Sequence, residues 1–134
     1  MAAQPFDWSQ YFRLADELAK RPEESALRSA ISRTYYYVYH LALQRAQANG
    51  FAAVSGEAIQ KQLWRVFNGS PEPDCRRLAV IAGRLKEKRE RADYNDNYKR
   101  LAEEVPETLA DAQDFEGLLQ RLDPRHPNPA SVRQ

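Results

Sequence analysis

Between Pro22 and Gly50 the chain runs for twenty-seven residues without a proline or a glycine. Pro22 suits the first turn of a helix, Glu23 and Glu24 suit its positive N-terminal end, and Gly50 supplies the stop. At 100° per residue Leu27, Ile31, Tyr35, Val38 and Ala42 fall on one side of this helix, with Ser29, Arg33, Tyr36, Tyr37 and His40 opposite. A solvent face normally carries Glu and Lys. This one carries large aromatic rings around one Arg and one His, so the helix is predicted to be covered on both sides. The composition agrees, with 32 Ala and Leu against 11 Val, Ile and Thr, a balance that favours helix and excludes a β-rich architecture.

Shorter amphipathic stretches supply the cover. Asp7 is a good N-cap for a helix reaching about Lys20, whose apolar stripe is Trp8, Tyr11, Phe12, Ala15, Leu18 and Ala19. A third helix is predicted from Ser55 to Asn68, with Ile59, Leu63, Val66 and Phe67 inward. Gly69, Pro71 and Pro73 then force a loop. Asp74 is the expected cap of a fourth helix, Cys75 to Asn95, with Leu78, Ile81, Ala82, Leu85 and Ala92 on one stripe and Asn95-Asp96-Asn97 as terminator. Tyr98 to Glu104 adds a turn or two, and Pro106 is expected to begin a fifth helix whose inward face is Leu109, Ala112, Phe115, Leu119 and Leu122. The prediction is an all-α, up-and-down bundle of four to five helices over residues 1–122, too short for a second independent domain. Residues 123–134, with Pro124, Pro127 and Pro129, are expected to be an extended or disordered tail.

Charge and cysteine usage exclude several classes. A net charge of +1 argues against a surface that neutralises nucleic-acid phosphates everywhere. The single cysteine, Cys75, and two histidines 86 positions apart offer no metal-ligand spacing, so no metal and no cofactor are expected. Cys75 sits at a helix start, where a thiol pKa can be lowered, although an inert role is the expected one. No apolar run approaches the length of a membrane span and no leader is visible, so the expectation is a cytoplasmic protein with no membrane contact. Local charge is less even: Arg76 to Arg100 holds nine basic and four acidic residues, whereas Leu101 to Gly117 holds six acidic and none basic. Two solvated faces that attract each other is the plain reading; a basic patch for RNA or an acidic partner is the functional one.

Polar residues on apolar faces are the candidate site. Arg33, Tyr37 and His40 fall at i, i+4 and i+7 of the long helix, and a buried Arg and imidazole must be paired. Arg89 lies on the apolar stripe of the fourth helix with Asp93 at i+4 as its partner. Together they predict a polar seam inside the bundle or at a subunit interface. A phosphate-handling site is the sharper alternative, with Arg neutralising charge and His moving protons.

Ser32-Arg33-Thr34-Tyr35-Tyr36-Tyr37-Val38-Tyr39-His40, with Arg89-Glu90-Arg91-Ala92-Asp93-Tyr94, resembles the two signature helices of HEPN domains, and Asp111 to Phe115 resembles their last helix. The likeness covers about residues 10 to 122 and is nearest to small stand-alone prokaryotic HEPN proteins. It implies a helical bundle that commonly dimerises, and a setting in RNA cleavage, toxin-antitoxin pairs, CRISPR and phage defence. Active members use Arg, four to six residues, then His, sometimes with a Tyr two positions on. Here Arg91 and Tyr98 match, but Asp96 stands where the His belongs. A carboxylate there would repel the phosphate and is a poor acid at neutral pH.

The expected role is therefore a non-catalytic binding or interaction protein of a defence or toxin-antitoxin system. Its expected partners are a second copy or a larger complex, RNA, and a nucleotidyltransferase antitoxin or a defence nuclease or helicase. The alternative is a metal-independent ribonuclease, with Arg89 or Arg91 on the phosphate and His40 or Asp96 in proton transfer. The binding reading assigns Arg33, Tyr36, Tyr37, His40, Arg89, Asp93, Tyr94 and Tyr98 to the seam.

Overall fold

A computed structural model describes residues 4–132. They form five α-helices and a short 3-10 turn: α1 (Ser9–Leu18), α2 (Glu24–Ala48), α3 (Ile59–Asn68), α4 (Pro73–Tyr94), α5 (Leu101–Arg121) and the turn Pro129–Ser131. No strand occurs among the described residues. The protein is an all-α bundle with α2 at its centre, packed against all four other helices, while α4 also touches α3 and α5.

The central position of α2 follows from its sequence. Ile31, Tyr35, Val38 and Ala42 are completely buried, as the apolar stripe predicts. Its other sides are also covered in part, because Thr34, Tyr37 and Tyr39 are buried too. Leu78, Ala82 and Leu85 from α4, Leu63 and Phe67 from α3, and Phe115 from α5 complete one core with the second half of α2. A second cluster joins Ala15 of α1, Ala30 and Ile31 of α2, Ala92 of α4 and Val105 of α5. The small residues Ala15, Ala30 and Ala92 let the helices approach there. Gly50, at φ 100°, ends α2 in the left-handed region that glycine adopts without strain.

Several element boundaries differ from expectation for local reasons. Asp7 does accept hydrogen bonds, from the Ser9 backbone N–H at 3.0 Å and from the Ser9 hydroxyl, and α1 starts at Ser9. α3 starts at Ile59 rather than Ser55, since the Gln62 side chain bonds both backbone groups of Val54 and holds the preceding segment in a loop. Ile59 is consequently 47% exposed, not inward. Pro73 takes the first position of α4, so Glu72 is the cap, accepting from the Asp74 N–H, and Asp74 lies in the first turn. Pro106 does not begin α5 but lies inside it: the predicted short piece joins the helix, which starts at Leu101 after Arg100 in the left-handed region.

The proline-rich tail is folded from 123 to 132; residues 133 and 134 lie outside the described part. Arg45 of α2 donates to the carbonyls of Leu119 (2.8 Å) and His126 (3.0 Å), and the Asn49 amide donates to those of Pro124 and Pro127. Pro127 is fully buried. Composition alone points to disorder; polar side chains at the end of α2 supply the anchors.

Candidate functional site

Arg89 is the centre of the seam between α4 and α2. It is 8% exposed, as its place on the apolar stripe of α4 requires. Its guanidinium carbon lies 5.5 Å from the ring centre of Tyr35, 5.6 Å from Tyr36 and 5.9 Å from Tyr94, within the range of cation–π attraction. Asp93 is the predicted ion-pair partner, with Nη1 to Oδ2 at 3.5 Å, and the Ser32 hydroxyl of α2 donates to the same carboxylate oxygen at 3.3 Å. Arg89 Nε is buried and has no hydrogen-bond acceptor among the described residues. A buried guanidinium N–H without an acceptor costs free energy of the order of 1–3 kcal/mol.

The rings that wall Arg89 are held differently. Tyr35 is buried; its hydroxyl donates to Gln60 Oε1 (2.5 Å) and accepts from Trp64 Nε1 (3.1 Å), which fixes the ring. Burial pushes this hydroxyl up to about 12. Tyr36 is half-buried, whereas Tyr94, at the last turn of α4, is 75% exposed.

Beside this pocket the first turns of α2 carry Ser25, Ser29 and Ser32 at i, i+4 and i+7, forming a shallow polar trough with Arg28, Arg33 and Asp93. Arg28 spans from α2 to the end of α4, donating to the carbonyls of Ala92 (2.9 Å), Asn95 (2.6 Å) and Asp96 (3.1 Å). The Ala92 carbonyl is one that a helix C-terminus leaves without a partner and those of Asn95 and Asp96 follow the last helical residue, so Arg28 fastens the end of α4 from outside. The serine spacing and Arg28 are legible as a polar edge, but nothing in the sequence says which helix end an arginine reaches.

The remaining seam residues separate. Arg33 is exposed rather than buried: its guanidinium lies 5.0 Å over the ring of Tyr11, and it needs no ion pair there because water reaches it. Tyr37 turns away from the Tyr36 side and is buried against Phe12 of α1 and Glu116 of α5, donating its hydroxyl to that carboxylate. The near-equality of two faces on a helix covered by four neighbours hides this in a helical projection. His40 is half-buried and stacks flat on Trp8, ring centres 3.3 Å apart, and burial holds its pKa below the usual imidazole value. Tyr98 is buried, donating to Glu104 Oε1 at 2.7 Å, and Arg91 packs over it and pairs with the same Glu104 at 3.5 Å. Asp96 is exposed beyond the end of α4. Cys75 is buried, and burial pushes its thiol up, the opposite of an activated thiolate.

The basic stretch of α4 faces the acidic stretch of α5. Arg84 pairs with Asp111 (3.3 Å), Lys88 with Glu107 (3.7 Å) and Arg91 with Glu104 (3.5 Å), rungs of one ladder between the helices. Mutual attraction of the two faces is what the structure shows. Among the described residues no cluster of His, Cys, Asp and Glu has the makings of a metal site, and no helix is long and apolar enough to cross a membrane. Comparison with protein-family models, with curated proteins and with solved structures found no match.

Proposed function

We propose that this chain is a non-catalytic binding protein of the HEPN type, acting through RNA or a protein partner in a prokaryotic defence or toxin-antitoxin setting, as a dimer or a subunit of a larger assembly. One observation supports the reading above all: each candidate cation and each candidate proton-transfer group has surroundings of its own. His40 stacks on Trp8 beside α1, Arg89 is enclosed by tyrosines between α2 and α4, Arg91 is engaged by Glu104, and Asp96 lies in solvent past the end of α4. Proton transfer to a ribose hydroxyl and charge neutralisation at the phosphate need groups within hydrogen-bond reach of one point.

The test is incubation of mixed RNA with the wild type, Asp96→His and His40→Ala, with and without EDTA. No cleavage above background by the wild type is the expected result, because lost acid-base help is worth about 10² to 10⁴ in rate. Robust EDTA-resistant cleavage that disappears in His40→Ala would overturn the proposal and establish a metal-independent ribonuclease instead.

A further inference from the structure

We propose that the Arg89 pocket is a receptor for a single carboxylate presented by a polypeptide partner: an aspartate or glutamate side chain, or a chain terminus. The proposal rests on the binding reading above and names the chemistry of its site. Asp93 occupies the Nη1 side of the guanidinium at 3.5 Å. The opposite edge, Nε with Nη2, presents two parallel N–H donors at the spacing of two carboxylate oxygens, a fork that lysine does not offer. Nε is buried and without an acceptor among the described residues, so a ligand oxygen there satisfies a donor that folding has already desolvated.

The walls select for a compact, planar anion. Tyr35 is fixed by Gln60 and Trp64, while Tyr94 is 75% exposed and is the wall a ligand can displace. Ser25, Ser29 and Ser32 line a shallow trough that meets the Arg89 site through Asp93. An RNA strand is disfavoured by charge. A polyanion needs a run of uncommitted cations, yet Arg84, Lys88 and Arg91 pair with α5 and Arg28 is committed to carbonyls of the α4 end, which leaves Arg33, beside Asp93 with its phosphate-repelling charge, as the one trough cation without an ion pair among the described residues.

The experiment follows the side-chain Nε–H signal of Arg89 by NMR in the full-length, ¹⁵N-labelled protein. The probes are a blocked alanine-rich peptide carrying one Glu, its Gln counterpart, inorganic phosphate, and a short oligouridylate, each up to about 10 mM, where a contact of millimolar affinity is readable. The Glu peptide is expected to shift the signal and slow its exchange, and the Gln peptide to do neither. Asp93→Asn, which removes a partly exposed like charge, should tighten the Glu peptide about threefold. A signal that the Glu peptide leaves unmoved in both proteins would overturn the proposal, including one already slow in exchange because a resident water satisfies it. So would a larger response to phosphate or oligouridylate than to the Glu peptide. Arg89→Lys serves only to assign the signal, and both outcomes stand without it if that variant fails to fold. RNA cleavage by the wild type would sink the binding reading on its own, whatever Arg89 does with a carboxylate.

Discussion

One helix, α4, presents arginines to two neighbours and treats them in opposite ways. Toward α5 its cations meet carboxylates rung by rung, Arg84 with Asp111, Lys88 with Glu107 and Arg91 with Glu104. Toward α2 a single arginine, Arg89, meets the rings of Tyr35 and Tyr36, with Tyr94 and Asp93 of its own helix beside it, and keeps a buried donor without an acceptor among the described residues. In the ladder charge is neutralised in place: each pair has one member largely covered and one that water reaches, and together they leave little net field for a distant ligand. At Arg89 the charge is met as well, by Asp93, but one buried donor is left over among the described residues. What separates the two faces is the partner helix, since α5 offers six acids from Leu101 to Gly117 where α2 offers aromatics.

The sharpest way to break this contrast is at Arg89 itself. Arg89→Ala should lose about 2–4 kcal/mol, because the stem fills space between α4 and α2 and its removal leaves a cavity. Arg89→Met keeps that volume and removes the unpaired donor, so it should cost less than about 1 kcal/mol or stabilise. Urea unfolding of the two variants decides it. Equal losses would show that the charge, not the packing, holds the seam, and would put the pocket in the same class as the ladder.

Alkaline pH probes both faces through their tyrosines. Tyr35 is raised to about 12 by burial, with Trp64 and Arg89 opposing, while Tyr37 and Tyr98 are raised by burial and by the carboxylates of Glu116 and Glu104. Below about pH 10 both folded and unfolded chains hold these protons; above it the unfolded chain ionises first. Stability should therefore be unaffected by these groups up to about pH 10 and then fall, with Tyr35 alone contributing a loss of roughly 2 kcal/mol by about pH 12. Urea melts from about pH 9 to about pH 12 measure the slope, and Tyr35→Phe should reduce it. An unchanged slope in that variant would mean that Tyr35 is not sealed behind Arg89.

Much of this arrangement is readable in the sequence, and the misreadings share a cause. Spacing alone places Arg89 and Asp93, because α4 has one well-defined stripe and a charge on it stands out. On α2 the same reasoning groups Arg33 with Tyr37, yet one is exposed over Tyr11 and the other is buried near Glu116. A helix touched from four sides has no single solvent face, and a projection cannot say where one neighbour ends and the next begins. Pro106 and the tail depart from expectation for a related reason. Local propensity describes the chain before its neighbours arrive, and it is long-range bonds from Arg45 and Asn49 that order residues after 122.

A smaller effect is expected where the ladder enters the core. Glu104 is 7% exposed and serves both Arg91 and the buried Tyr98 hydroxyl. Glu104→Ala should cost about 1–2 kcal/mol, mostly from the orphaned hydroxyl, because the half-exposed Arg91 regains water. Glu104→Gln keeps an acceptor for Tyr98 and should recover more than half of the loss. Recovery of none of it would assign the energy to the ion pair and make this rung resemble the Arg89 site.

The smallest effect belongs to the outer rung, and it sharpens the contrast most because a null result there is informative. Arg84 is half exposed while Asp111 is mostly covered, and their closest approach is 3.3 Å. A double-mutant cycle with Arg84→Ala and Asp111→Ala should give a coupling of about 0.2–1 kcal/mol, the range of pairs that water still reaches. Raising the ionic strength from about 0.1 to about 1 M shortens the screening length from about 10 Å to about 3 Å and should remove most of that coupling. The same cycle at Arg89 and Asp93 should lose a smaller fraction of its value at high salt, because the Arg89 side chain is largely covered although water reaches Asp93. A coupling at Arg89 and Asp93 as salt-sensitive as that of Arg84 and Asp111 would show that α4 has only one kind of charged face.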